Sequence, residues 1–150
     1  CGKTTTRAMV SHLLRGMHRE GAVHETLGNR NNLIGLPQTL LRLPSDSAFC
    51  VLELGMSEFG EIAELAEIAS PQVRVVTNVG RAHLEGCGGT LAGVARAKRE
   101  LLDACNPGDI CVLNQDDDLV AEMKPSLASS SSSSSSASAG NEVPIVYFGR

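Results

Sequence analysis

The chain opens with a short run whose residue types suit phosphate chemistry, GKTTT at positions 2–6. Gly2-Lys3-Thr4 has the form of the closing half of a phosphate-binding loop, G-x-x-x-x-G-K-[ST]. At a helix start, free N–H groups and the positive end of the helix dipole favour an anion. Lys3 would reach the β- and γ-phosphates of a nucleotide, and the Thr4 hydroxyl would hold Mg²⁺. The same triplet also begins ordinary helices, so this reading needs support from elsewhere in the chain.

Three further places hold polar residues directly after strand-like runs, and a polar loop adds two asparagines. Glu53 lies inside VLELG, where a carboxylate either reaches solvent or must be paired or metal-bound. Asn78 and His83 follow a β-branched run, and Asn114 opens NQDDD, any residue of which can cap a following helix. Asn31 and Asn32 stand in GNRNN, which is either a plain turn or a polar loop facing substrate. Lys98 is the most informative residue. Leu91, Val94, Ala95, Leu101, Leu102 and Cys105 share its helix face at spacings of three, four or seven. A lysine on such a stripe either snorkels to solvent or has its amine modified or paired in a cleft. Arg96–Glu100 and Arg99–Asp103 are i,i+4 pairs expected on solvated faces.

The elements that must position these residues alternate. Thr4 to about Gly16 reads as a helix with Ala8, Met9, His12, Leu13 and Gly16 on one face. An extended stretch spans about 22–26, and a helix spans 32–43 with Pro37 in its first turn. Residues 49–54 and 73–79 read as strands buried on both faces, with the helix Glu61–Ala69 between them, ended by Pro71. Thr90 caps a helix to about Ala104, and strands follow at 110–113 and 144–148. Such alternation predicts an α/β fold with a mainly parallel sheet flanked by helices, whose strand ends gather Gly2–Thr5, Glu53, Asn78 with His83, and Asn114 along one edge.

Composition bounds the function. The chain has 150 residues, 42% hydrophobic and 20% charged, with a net charge of −4, ordinary for one globular domain and no electrostatic invitation to nucleic acid or anionic membrane. No apolar run reaches the roughly 18 residues of a membrane span. The 5 cysteines include no C-x-x-C pair, which argues against a disulfide framework or zinc site; Cys50 and Cys111 read as core residues. Residues 126–140 contain eight consecutive serines, 129–136, and read as a disordered insertion.

Taken together, GKTTT (2–6), GNRNNLIGLPQTLLRL (28–43), LELGMSEFGEIAELAEIASP (52–71), VVTNVGRAHLEGCGG (75–89), AKRELL (97–102) and LNQDDD (113–118) resemble the central ATP-binding domain of the Mur ligases. The GNxNNxIGxPxTLL pattern resembles the type that joins D-alanyl-D-alanine to a UDP-N-acetylmuramoyl-tripeptide. The resemblance implies a P-loop-type nucleotide-binding domain and an ATP-dependent ligase acting through an acyl phosphate. It implies that Gly2, Lys3, Thr4, Thr5 and Asn114 bind ATP, with Asn114 near the adenine. It implies two Mg²⁺ ions held by Thr4, Glu53, His83 and a CO₂-derived carbamate on Lys98, with Lys3, His83 and Lys98 catalytic. Asn31 and Asn32 would line the nucleotide-peptide substrate. Cys1, Cys87-Gly88-Gly89 and Arg99 depart from the pattern without removing a proposed ligand. The resemblance further implies N- and C-terminal domains beyond a partial central domain cut in its phosphate loop. The 150-residue piece alone is therefore expected to lack ligase activity. It implies a cytoplasmic enzyme of peptidoglycan precursor synthesis, while the serine run points towards a eukaryotic, plastid-bearing source. The competing readings are another Mur-type or folylpolyglutamate synthase-like ligase, a non-catalytic nucleotide-binding relative, or a motion-coupled P-loop ATPase.

Overall fold

A computed structural model of the chain describes residues 2–103, 105–127 and 143–150. Helix α1 (Lys3–Met17) leads into strand β1 (Val23–Glu25), helix α2 (Gly35–Leu40) and strand β2 (Phe49–Val51). Helix α3 (Glu61–Ala69), strand β3 (Val73–Val76), helix α4 (Leu91–Arg99), strand β4 (Ile110–Asn114), helix α5 (Asp118–Ala121) and strand β5 (Ile145–Phe148) follow. Single 3-10 turns stand before and after α4, at Glu85–Cys87 and Glu100–Leu102. All pairing is parallel: β1 with β2, and separately β3 with β4 and β4 with β5. The expected α/β fold with parallel strands and flanking helices is the observed one. Among the described residues no helix is long and apolar enough to cross a membrane.

Two apolar clusters hold these layers. Leu36, Met56, Ile62, Leu65, Cys87, Val94 and Ala97 form the first, and Val76, Leu102, Cys105, Cys111, Leu113, Val120 and Met123 the second. Val79 and Leu101 pack against both, so the loop after β3 and the tail of α4 tie the two strand sets together. The inward face expected of α3 is confirmed by Ile62, Leu65 and Ala66, and Ser70, in the left-handed region at φ 43°, ends the helix before Pro71. Thr90 caps α4 by accepting from the Gly93 N–H at 3.0 Å.

Several expectations need correction. The stripe Ala8, Met9, His12, Leu13 of α1 is exposed; the buried residue is Ser11, on the same side as Arg7, because the helix lays its polar side against β1 and β2. Strand β3 is not buried on both faces: Val73 and Val75 are exposed, whereas Arg74 and Val76 are buried, because alternate strand residues face opposite ways and one face is left uncovered. Strand β2 is shorter than expected and only half-buried; Cys50 is exposed, unlike Cys111, because alternate strand residues face opposite ways. Helix α2 starts at Gly35, three residues later than read, because the Asn32 side chain accepts from the N–H groups of Ile34 (3.2 Å) and Gly35 (2.9 Å). Leu91 leaves the Lys98 stripe for solvent, and Ala97 is buried. Glu100 makes no pair with Arg96. Its carboxylate accepts from the N–H groups of Gly60 (2.9 Å) and Ala63 (3.3 Å) at the start of α3, where the helix dipole favours it, and Arg96 lies over the Phe59 ring instead. Arg99–Asp103 forms as expected, half-exposed at 3.0 Å. Of the expected serine-rich insertion, Ser126 belongs to the fold, receiving the Cys105 N–H at 3.1 Å and donating its own N–H to Leu102 at 2.9 Å. Leu127 bridges to Cys105; residues 128–140 lie outside the described residues.

Candidate functional site

Helix α1 begins at Lys3 because Gly2, at φ 82°, takes a left-handed turn that side chains rarely adopt, and its carbonyl accepts the Thr6 N–H at 2.9 Å. The first turn of α1 carries no acidic residue and no side-chain cap, so its N–H groups keep their partial positive charge. Thr5 sits exposed on this turn. A Cβ on Gly2 would lie 3.9 Å from the Asn78 side chain, which brings the end of β3 to the helix start.

Glu53 reaches the same point from the end of β2. Its side chain is only 5% exposed. The Thr26 hydroxyl, at the end of β1, accepts the Glu53 N–H at 3.0 Å and fixes the backbone. One carboxylate oxygen, Oε1, accepts from the Thr4 hydroxyl at 3.0 Å and from the Asn31 amide at 3.2 Å. The other, Oε2, is buried without a hydrogen-bond partner, and the nearest cation, Arg7 Nε, lies 3.8 Å away, equally unpartnered. Asn31 is pressed against this acid: its carbonyl accepts the Gly55 N–H at 2.7 Å, and any Cβ on Gly55 would meet the Asn31 side chain at 2.8 Å. Glycine is the residue that fits there.

Lys98 approaches from α4. It is half-buried, and burial first, then the charge of Lys3, pulls its amine below the ordinary lysine range, with Asp117 opposing. Lys3 and Lys98 are thus electrostatic neighbours at the helix start. Asp117 joins the loops around them: it caps α5 by accepting from Val120 and accepts the Val79 N–H at 2.7 Å. Asn114 ties β3 to β4, its amide donating to the Thr77 carbonyl at 2.8 Å while its oxygen accepts from Asp116 at 3.0 Å.

The structure therefore gathers Gly2, Lys3, Thr4, Asn31, Glu53 and Lys98 around one helix N-terminus. Asn32 stands apart from them in its role, spent on starting α2. His83 is exposed in the turn after β3, with a left-handed backbone at φ 67° unusual for a non-glycine, and joins none of the hydrogen bonds around Glu53. Among the described residues no group of three or more His, Cys, Asp or Glu is placed to hold a metal ion. Mg²⁺ takes one or two protein oxygens and completes its shell with phosphate and water. A buried carboxylate whose Oε1 meets a threonine hydroxyl and whose Oε2 lacks any donor fits such an ion.

Sequence reading missed Arg7, Glu25 and Thr26. Arg7 bridges Glu53 and Glu25, 3.4 Å from the latter, and Arg15 meets Glu25 at 2.6 Å. Burial disfavours the Glu25 carboxylate, but the hydrogen bond from Arg15, the nearby Ser11 hydroxyl and the charges of Arg15 and Arg7 outweigh it and hold the group below its usual range. The signal was available: Thr4, Arg7 and Ser11 recur at three and four residues along α1.

A profile of the Mur ligase middle domain matches residues 1–146. The chain is 44% identical over 121 residues to a UDP-N-acetylmuramoyl-tripeptide–D-alanyl-D-alanine ligase of Synechocystis, covering 81% of this chain and 26% of that protein. Its fold matches a crystal structure of MurF from Acinetobacter baumannii with a TM-score of 0.76 at 36% identity, over 82% of this chain and 26% of that one. It also matches MurF ligase from Thermotoga maritima in complex with ADP, with a TM-score of 0.66 at 38% identity, over 74% and 25%. The chain thus spans about a quarter of the length of these relatives.

Proposed function

From its place in the Mur ligase family, to which the chain belongs through the middle domain, we propose that it is the nucleotide-binding part of an ATP-dependent amide ligase. The reaction we infer joins D-alanyl-D-alanine to a UDP-N-acetylmuramoyl-tripeptide, the substrates named for its relatives. One observation carries the reading: the helix start Gly2-Lys3-Thr4 meets a buried Glu53 whose second oxygen no donor satisfies.

Each residue then has a task. The N–H groups of the first turn and Lys3 hold the ATP phosphates, with Gly2 allowing the turn and Thr5 flanking it. The Thr4 hydroxyl and Glu53 would hold one Mg²⁺, and His83 and a carbamate on Lys98 a second. Such ions, when bound, neutralise the charge that phosphoryl transfer spreads over the phosphate oxygens. Burial and Lys3 favour the neutral amine of Lys98, the form that adds to CO₂, and the resulting anion would remove a cation from beside the metals. Asn31 steers Glu53 and, with Asn32, borders the peptide substrate; Asn114 borders the adenine by fixing the ends of β3 and β4. Bound so, the tripeptide's terminal carboxylate oxygen attacks the γ-phosphorus and ADP leaves. The amine of D-alanyl-D-alanine then attacks the acyl carbon, and inorganic phosphate leaves. The protein's part is orientation and electrostatic stabilisation.

The test is amide formation by the intact protein with ATP, Mg²⁺, bicarbonate and both substrates. Lys3→Ala and Glu53→Gln are expected to lower turnover by at least about a hundredfold, the scale of lost oriented transition-state contacts. Turnover that survives both changes, or that proceeds equally with other acceptor amines, would refute the assignment.

A further inference from the structure

Helix α1 turns an unusual face inward. Arg7 and Ser11 lie on its inward side below the exposed Thr4, while Met9, Leu13 and Met17 are exposed. The surface they meet carries two carboxylates. Glu25 pairs in register with Val51, so Glu53, two residues further along, follows it on the same face of the neighbouring strand. Two acids this close and this buried repel, and Arg7 is the cation between them, with side chains 12%, 14% and 5% exposed for Arg7, Glu25 and Glu53.

The geometry around Glu53 is asymmetric. Thr4 and Asn31 fix Oε1. Arg7 Nε stands 3.8 Å from Oε2, near enough to attract it and too far to hydrogen-bond, so both atoms are left unpartnered. We propose that Arg7 is a positioning residue for Glu53: it balances the Glu25–Glu53 pair and draws Oε2 by charge without bonding it, so that the carboxylate keeps Oε1 turned to Thr4 at the helix start. The inference rests on the reading of Glu53 as a magnesium ligand.

It is tested by titrating Mn²⁺ with ADP into the intact protein and following free Mn²⁺ by electron paramagnetic resonance. Arg7→Met is expected to raise the Mn²⁺ Kd by about tenfold or more, the effect of losing an orienting partner of a metal ligand. Arg7→Lys keeps the charge without the guanidinium geometry and is expected in between, at about threefold. Mn²⁺ binding by Arg7→Met as tight as in the parent, or tighter, overturns the proposal, since Arg7 would then only pack or compete with the metal. If circular dichroism shows Arg7→Met unfolded, Arg7→Lys decides alone, and a Kd equal to the parent's overturns it. Glu53→Gln is the control. Binding unaffected by that change removes Glu53 from the metal site and takes this proposal with it; binding lost there but unmoved by Arg7 removes the proposal alone.

Discussion

Two buried arginine–carboxylate pairs in this molecule have opposite degrees of completion. Arg74, on β3, uses its whole guanidinium: Nε donates to the Pro71 carbonyl at 3.3 Å, one terminal nitrogen to Leu101 at 2.8 Å and the other to Asp109 at 2.8 Å. Asp109 also receives the Asn106 N–H at 2.8 Å. Arg7 and Glu53, similarly buried, stand 3.8 Å apart, each with an atom unpartnered. A buried polar network is stable when every member is satisfied, and an unmet group there marks either a defect or a missing ligand. The first pair is therefore architecture, clamping the turn between α4 and β4. On the proposed function, the second is a site whose last partner arrives with the substrate.

The comparison breaks most easily at its architectural end. Arg74→Met leaves Asp109 buried and uncompensated and is expected to cost about 3–5 kcal/mol of stability, read as a lower midpoint in urea denaturation. Glu53→Gln, which removes the charge whose Oε2 nothing satisfies, is expected to change stability by no more than about 1 kcal/mol while abolishing ligation. If Glu53→Gln destabilised as much as Arg74→Met, the two pairs would be the same kind of structure.

Lys98 sharpens the contrast through pH. Its folded-state pKa lies below the unfolded value because burial and Lys3 disfavour the cation. The unfolded chain therefore binds more protons, and stability rises with pH up to the unfolded lysine pKa of about 10.4. In CO₂-free buffer Lys98→Met is expected to raise the melting temperature at pH 7. That gain should shrink as pH rises through the folded pKa and disappear above the unfolded one. Bicarbonate should stabilise the parent and not the variant. A gain independent of pH would mean that packing, not charge, is at issue.

How far these features were legible depended on what each required. Helix α3 and its buried face followed from local periodicity, because Ile62, Leu65 and Ala66 report one apolar surface. Lys98 stood out because its neighbours on the helix were apolar. Glu53 was ambiguous in sequence, since the threonine and asparagine that hold it come from α1 and the loop before α2. The faces of α1 and β3 were misread for one reason. Periodicity reports which residues are apolar, whereas Arg7 and Arg74 are buried by virtue of partners far along the chain. Charged residues buried through long-range pairing leave at most a polar stripe, as at Thr4, Arg7 and Ser11, which does not name the partner that buries it.

His83 offers the smallest stability effect, and it tells which side of the contrast that residue belongs to. A left-handed backbone costs a non-glycine residue about 1–2 kcal/mol, and glycine returns about 0.5–1 kcal/mol of that through its greater unfolded-state freedom, so His83→Gly should gain roughly 0.5 kcal/mol. His83→Ala keeps the strained backbone and loses the imidazole, and should leave stability unchanged. If the φ of 67° is maintained for the site, both variants lose ligase turnover and only the glycine variant gains stability. Full turnover in His83→Ala would remove the imidazole from the chemistry and leave the turn as plain architecture, like Arg74. Lost turnover in both would place this exposed turn with Glu53, as a position whose conformation is understandable only once the ligand is counted.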